Sequence, residues 1–386
     1  MRAPISDRAL LVLLAAVTAL GPVTTNLYLP ALPFVREYFG ATVAEVQSTF
    51  AIALVTFSFG LLAWGPIADR CGRRNAILDG LGVHVLGAFI CLVAPTLGWL
   101  IVGRAIQAFG TATGMVVARA VVVDRYPVDR MVQVLASLTM VSVLGNSLAP
   151  VLGGFLATGL GGRAVVGVLM RAATLVGLVV WRRLPETRPA SVRPPRLREM
   201  ATVAGSLVRM PMFAGAMLQG AAIYATFLVL LSLTPYVMIS ALGRPPTEFG
   251  LYYLFIAAGY FLGNWSVRRL TAHHDLHWMV LVGASLTTAG AVAALAFTVL
   301  GFTHPLWLFV PMAVLSYGQG LALPNVTATA VSLAPQHAGV ASSTVGFLQQ
   351  LIGAAAVQWM GRFPTDSALP MLTFCVVVCL FALARL

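Results

Sequence analysis

Three arginines, Arg104, Arg119 and Arg171, interrupt apolar runs that otherwise carry almost no charge. Placing a guanidinium in hydrocarbon costs at least about 2.5 kcal/mol by insertion scales, so such residues usually serve a purpose. Arg104 is followed one helical turn later by Gln107, in "GRAIQAFG" (103–110). Together they offer a fixed positive charge and an amide, a pair suited to holding a polar or anionic group. Arg119 lies about one turn from the end of its run and can snorkel. Arg171 lies deeper, where packing or snorkelling is the simpler role. The chain has twelve carboxylates, and none falls at the centre of an apolar run. Asp79 and Asp124 come nearest, each close to one end. With His84, they are the groups available to carry a proton, and Arg104 and Arg119 are the cations that could couple to it. Asn26, in "NLYLPALP" (26–33), can hydrogen-bond a ligand but cannot carry a proton. A cation with no facing acid suits a neutral or anionic small molecule better than a cationic one.

A second concentration of charge is "GPIADRCGRRN", residues 65–75, between two apolar runs. Asp69 and Arg73 can form polar contacts that lock two helix bundles together on the inner side, Arg70 and Arg74 add positive charge, and Gly65 and Gly72 permit close approach and a tight turn. Other polar groups read as bystanders. "HHDLH" places His273, His274 and His277 in a polar loop with Arg268 and Arg269 but no further ligand set, so solvated histidines are expected and no metal. Cys375 and Cys379 stand one turn apart in an apolar run, and with Cys71 and Cys91 they read as small core residues. Asn325 and Thr327 match a glycosylation pattern inside an apolar run, which excludes it. No phosphate loop, dinucleotide fingerprint or nucleophile elbow is present. An enzyme, a cofactor and a nucleic-acid partner are therefore not expected.

The elements that must carry these groups are membrane helices. Of 386 residues, 59% are hydrophobic and 9% charged, against roughly a quarter charged in soluble domains. Apolar runs of about 20 residues, enough to cross a bilayer, recur from end to end. Helices are expected near 8–33, 46–68, 76–97, 99–122, 132–158, 164–184, 211–237, 248–270, 278–300, 305–330, 338–360 and 368–385. The Arg- and Pro-rich segment "LPETRPASVRPPRLREM" (184–200) cannot span and divides the twelve into six and six. This predicts a six-helix bundle over 1–184, a cytoplasmic linker over 185–210 and a second bundle over 211–386. All 24 basic residues are arginine. With the N-terminus inside, seventeen fall in cytoplasmic segments (Arg2, Arg8, Arg70, Arg73, Arg74, Arg125, Arg130, Arg182, Arg183, Arg188, Arg193, Arg196, Arg198, Arg209, Arg268, Arg269 and Arg385) and four outside (Arg36, Arg163, Arg244 and Arg362). Positive charge stays on the cytoplasmic side, so both termini are expected there.

Several stretches resemble the major facilitator superfamily. "GPIADRCGRR" is similar to its loop signature between the second and third helices, and "GRAIQAFG" to its fourth-helix signature. "GNSLAPVLGGF" (145–155) is similar to its fifth-helix antiporter signature, through Gly145, Pro150, Gly153 and Gly154. "NLYLPALP", "ARAVVVD" (118–124), "LPET" (184–187), "LPNVTATAV" (323–331) and "AGVASSTVGFLQQ" (338–350) add a resemblance to the Bcr/CflA-type drug-resistance branch. The resemblance implies an all-α membrane protein with twelve transmembrane helices in two pseudo-symmetric six-helix bundles and a substrate site between them. It implies that Asp69 meets a helix N-terminus of the other bundle and that Arg73 pairs with Asp124. It implies that Arg104, Tyr28, Phe57, Tyr224, Phe227 and Tyr236 face a cavity, with Asn26, Gln107, Gln319, Asn325 and Gln349 as polar anchors. Two positions depart from the branch: Asn26 replaces its first-helix Asp, the natural proton carrier, and Val123 replaces an Arg.

The reading that follows is a monomeric inner-membrane exporter of small amphipathic compounds, linked to protons by an unusual route. The alternatives are an exporter or facilitator of an endogenous metabolite such as a sugar, amino acid or purine, a non-transporting membrane sensor, and a membrane-embedded enzyme.

Overall fold

The computed structural model describes residues 6–188, 197–271 and 273–384. Arg2, Arg193, Arg196 and Arg385 of the expected cytoplasmic set lie outside the described residues. Every regular element among the described residues is helical: α1 (Asp7–Leu27), α2 (Leu32–Phe39), α3 (Val43–Cys71), α4 (Arg73–Val93), α5 (Leu97–Arg125), α6 (Val128–Leu160), α7 (Gly162–Arg183), α8 (Leu197–Val208), α9 (Pro211–Tyr236), α10 (Pro246–Leu270), α11 (Leu276–Val299), α12 (Leu306–Ser332), α13 (Ala338–Met360) and α14 (Leu369–Ala384). Ten helical stretches among these residues are long and apolar enough to cross a bilayer. The two other expected spans are helical as well, in α10 and in α14, the latter an apolar helix of 16 residues.

Three local departures from the sequence expectation have clear causes. The first helix, expected to run unbroken to residue 33, stops at Leu27, passes through a 3-10 turn over Leu29–Ala31 and restarts as α2. Pro30 and Pro33 have no N–H to continue an α-helical ladder, but both suit a tight turn or a first helical turn. The loop expected between the second and third helices shrinks to one residue, because α3 runs to Cys71 and α4 starts at Arg73. Gly72, at φ 96°, makes the reversal in a conformation that side chains rarely adopt. Finally, the segment expected as a linker contains the helix α8, whose apolar Leu207 is buried with Phe213 and Met217.

The chain forms two compact units, one of residues 1–31 and 48–197 and the other of residues 32–47 and 198–386. In the second, Gln47 Nε2 donates to Ser232 O at 3.0 Å and Gln358 Nε2 to Ala44 O at 3.2 Å. Each unit is built on a helix pair pressed together along small residues. Apolar helices in lipid gain little from the hydrophobic effect, so close van der Waals packing at small residues must hold them. In the first unit α4 meets α5 so closely that a Cβ on Gly87 would sit 2.2 Å from Gln107 N, and one on Gly110 2.4 Å from His84 N. In the second unit α11 and α12 repeat the arrangement, and a Cβ on Gly318 would lie 2.6 Å from Thr287 N.

The start of α4 is capped from a distance. Gly72 has no side chain to satisfy the helix's first N–H groups. Glu186, just beyond α7, does so instead: its carboxylate accepts from Arg73 N at 2.8 Å and Arg74 N at 3.2 Å. It also accepts from its own neighbours Thr187 N at 3.0 Å and Arg188 N at 2.9 Å. Partial burial pushes the Glu186 carboxyl up, but these four N–H groups outweigh it and hold it below its ordinary value of 4.5.

Two predictions follow from this packing. Gly87→Ala should destabilise the protein by about 1–3 kcal/mol through overpacking, whereas Gly82→Ala, with open space around it, should be neutral or mildly stabilising. Thermal unfolding in detergent checks both, and equal melting of the two variants would contradict the seam. Glu186→Gln should cost about 1 kcal/mol, as loss of a helix cap does. A carboxyl depressed by folding contributes stability above its unfolded value and loses it as pH falls through the folded one. The gap in melting temperature between wild type and Glu186→Gln should therefore be full above pH 4.5 and close at lower pH.

Candidate functional site: a buried arginine centre and a charged corner

Arg104 is carried by α5, next to Gly103 and one turn before Gln107, both of which lie on the glycine seam with α4. Its side chain is only 1% exposed. Nη1 donates to Gln107 Oε1 at 2.6 Å, and the guanidinium carbon stands 4.3 Å over the ring of Tyr28. The break after Leu27 places Tyr28 there: the residue ends α1 and is itself 1% exposed. Among the described residues no carboxylate lies within ion-pair distance of Arg104. Among the described residues Arg104 Nε and Gln107 Nε2 lack hydrogen-bond partners, and His84 of α4 is fully buried. A cation–π contact returns about 2 kcal/mol when desolvated, less than the several kcal/mol that burial of an ion costs. The centre therefore holds positive charge and donor capacity that the protein itself does not satisfy. A carboxylate, a phenolate or a strongly polarised carbonyl oxygen would satisfy both.

Asn26 is the next-to-last residue of α1, just before the break. Its Nδ2 donates to Pro22 O at 3.1 Å and to the Oδ1 of Asn146 on α6. The antiporter-like stretch thus packs on α1: a Cβ on Gly153 would lie 2.3 Å from Leu27 O and one on Gly145 3.1 Å from Val23 Cγ2. Pro150, within α6, is buried, as is Gly154.

At one end of the first unit the charged loop forms a corner. Arg73 pairs with Asp69 and, through Nε, with Asp124 Oδ2 at 2.8 Å. The three side chains are 6%, 16% and 8% exposed, so water screens them little. Arg188 Nη1 donates to Asp69 O at 3.0 Å and also to Arg70 O, and Arg74 Nη2 donates to Trp181 O at 2.8 Å. With the Glu186 cap, these bonds tie the ends of α3, α4, α5 and α7 into one polar knot.

In the second unit the expected cavity residues are divided between packing and polar roles. Tyr224, Phe227 and Tyr260 form a tilted aromatic row with centroids 6.2 Å apart at each step. Gln319 Nε2 donates to Ile223 O at 3.2 Å, and Asn325 Nδ2 to Leu321 O at 2.7 Å. Gln349 Nε2 would stand 2.8 Å from a Cβ on Gly220. Tyr236 is fully buried at the end of α9.

Several sequence expectations land elsewhere. Gly65 lies inside α3, where a Cβ would meet Val116 Cγ1 at an ordinary 3.8 Å, so the close approach expected of it is absent within the first unit. Arg119, Arg171 and Asp79 are exposed on their helices, and among the described residues none forms an ion pair. Arg70 is exposed and contributes its backbone oxygen. Phe57 is half-buried, with its ring 3.4 Å from a Cβ built on Gly21. His274, expected as a solvated loop histidine, stacks on Trp278 with ring centroids 3.8 Å apart. The sequence reading gave Glu186, Arg188 and Asn146 no contact or site role. An amide inside an apolar helix was a usable signal for Asn146. No local pattern linked Glu186 to a helix start 113 residues earlier.

Comparison with known proteins converges on one family. The family model described as "Major Facilitator Superfamily" matches residues 14–357. Multidrug resistance protein D of Escherichia coli is 27% identical over 349 residues, covering 89% of this chain and 86% of that protein. The bicyclomycin resistance protein homologue of Haemophilus influenzae is 24% identical over 386 residues, covering 96% and 94%. Among solved structures, a bacterial homologue of the human lysosomal transporter Spinster superposes with a TM-score of 0.79 at 17% identity, covering 99% of this chain and 96% of that one. The xylose transporter XylE of E. coli superposes with a TM-score of 0.74 at 13% identity, covering 96% and 97%. With its all-helical fold and membrane-length apolar helices, the chain belongs to the Major Facilitator Superfamily and is a multi-pass membrane transporter, similar to that family's drug-resistance branch.

Proposed function

We propose that the protein is an inner-membrane exporter of small amphipathic drugs or toxic compounds, neutral or anionic and chloramphenicol-like. It works by alternating access as a monomer, with two six-helix bundles joined by the segment around 185–210 and both termini in the cytoplasm. The observation that carries this reading is the buried, acid-free Arg104, with Gln107 beside it and Tyr28 beneath it. A cationic drug would meet repulsion there, whereas an anion or a carbonyl would find an unsatisfied donor. The resistance names of the relatives support export.

Proton coupling, in this reading, does not run through the end of α1. Asn26 has no proton to give and is engaged with Asn146. Asp124 is held by Arg73, and Asp79 is exposed on α4. His84 is the titratable group left at the buried seam, against α5, and it carries the proton.

The test is a drug-susceptibility panel in a pump-deficient bacterial host, joined to transport in everted vesicles with an imposed pH gradient. Arg104→Ala, at unchanged protein level, should cut transport of anionic and neutral compounds tenfold or more, the loss that about 1.4 kcal/mol of binding produces. Preferred export of cationic dyes, indifferent to Arg104→Ala, would overturn the proposal. Resistance to nothing, with uptake or efflux of a single metabolite, would favour the metabolite carrier instead. Asn26→Asp should create a steeper dependence on the pH gradient and His84→Gln should flatten the existing one. An Asn26→Asp profile identical to wild type would remove the basis for the unusual coupling.

A further inference from the structure

α1 and α7 of the first unit run beside each other and leave an open, apolar groove of about 590 Å³ between the start of α1 and the end of α7. Arg8, Val12 and Ala16 line it at successive turns of α1, and Leu175, Val176 and Val179 line it from α7. Val12 is 70% exposed and Leu175 64% exposed, so the protein leaves this apolar surface to the surrounding lipid. Bare apolar helix faces are ordinary in a membrane. The charged end of this groove is not. Arg8 belongs to its lining, and three and four residues beyond Val179 the same face of α7 ends in Arg182 and Arg183. All three arginines are exposed, and among the described residues none pairs with a carboxylate. The adjacent Asp7 is occupied by Arg130 at 2.8 Å.

The dimensions narrow the occupant. From the cap residue Ser6 to Ala16 the groove follows the start of α1 over ten residue-to-residue steps, about 15 Å at 1.5 Å per residue. That is half of the roughly 30 Å hydrocarbon core, the depth of one leaflet. An apolar channel one leaflet deep, bounded at its water end by three unpaired cations, matches one phospholipid with an anionic head.

We propose that this groove is a binding site for an anionic glycerophospholipid, with an acyl chain along Val12, Ala16, Leu175 and Val179 and the phosphate against Arg8, Arg182 and Arg183. A zwitterionic lipid fills the apolar channel equally well, so discrimination resides in the arginines. Basic residues grouped between membrane helices near a leaflet surface favour anionic heads in this way.

The test is native mass spectrometry of the purified full-length protein in non-ionic detergent, titrated with phosphatidylglycerol against phosphatidylcholine of the same chains. Wild type should retain phosphatidylglycerol at least tenfold better. Arg8→Gln, Arg182→Gln and Arg183→Gln should each lower that preference about fivefold, the factor equivalent to ~1 kcal/mol per basic residue, and together abolish it. Val179→Trp, which fills the channel without altering charge, should weaken both lipids. Arg209→Gln, at an exposed arginine that is not among the residues lining the groove, should change nothing. Equal retention of the two lipids by wild type would overturn the proposal even if the variants failed to fold. So would an equal effect of Arg209→Gln, or displacement of the lipid by inorganic phosphate alone.

Discussion

A guanidinium buried in hydrocarbon without a counter-anion is the constraint around which the first unit is organised. Lipid and close-packed helices offer little screening, so the charge on Arg104 must be met by something nearby. The protein meets it partly, with the Gln107 carbonyl and the face of Tyr28, and leaves Nε without a partner. Such partial compensation is costly to fold and useful to a carrier. A site that is complete only when occupied stores its affinity for a ligand rather than for itself.

Holding that geometry falls to backbone proximity, because apolar side chains alone discriminate poorly in lipid. The seam between α4 and α5 admits nothing larger than glycine at Gly87 and Gly110, and it brings His84 and Gln107 to the same depth as the arginine. The break after Leu27 ends α1 at the point where Tyr28 can slide beneath Arg104. At the end of the unit, the Asp69–Arg73–Asp124 pairs, largely withdrawn from water, and the more exposed Glu186 cap join four helix ends. Charge is thus used twice: uncompensated at the centre, where a ligand can pair with it, and nearly neutralised at the corner, where it is structural.

Much of this was legible one residue at a time. Arg104 and Gln107 announced themselves as polar groups in an apolar run, and Gly72 as the turn residue of a charged loop. The absence of an acid beside Asn26 was equally visible. What these residues touch was not. Tyr28 read as a cavity aromatic and proved to be the floor under the arginine. Asn26 read as a lone polar anchor and proved to be half of an amide pair with Asn146. Asp79 and Arg119 looked like partners for a buried proton and turned out to be exposed.

By itself the sequence determined the solvent, the element type and the approximate number of helices. Hydrocarbon tolerates only backbones that satisfy their own hydrogen bonds, so a run of apolar residues of the right length has few alternatives to a helix. It also determined where charge is scarce and where it is dense, because those are properties of composition along the chain. The Arg73–Asp124 pair was implied by the family resemblance, but the tertiary structure alone decided other meetings across more than 110 residues: Asn26 with Asn146, and Glu186 with the start of α4. Those meetings depend on helix register and on how closely two backbones approach, and hydropathy carries no record of either.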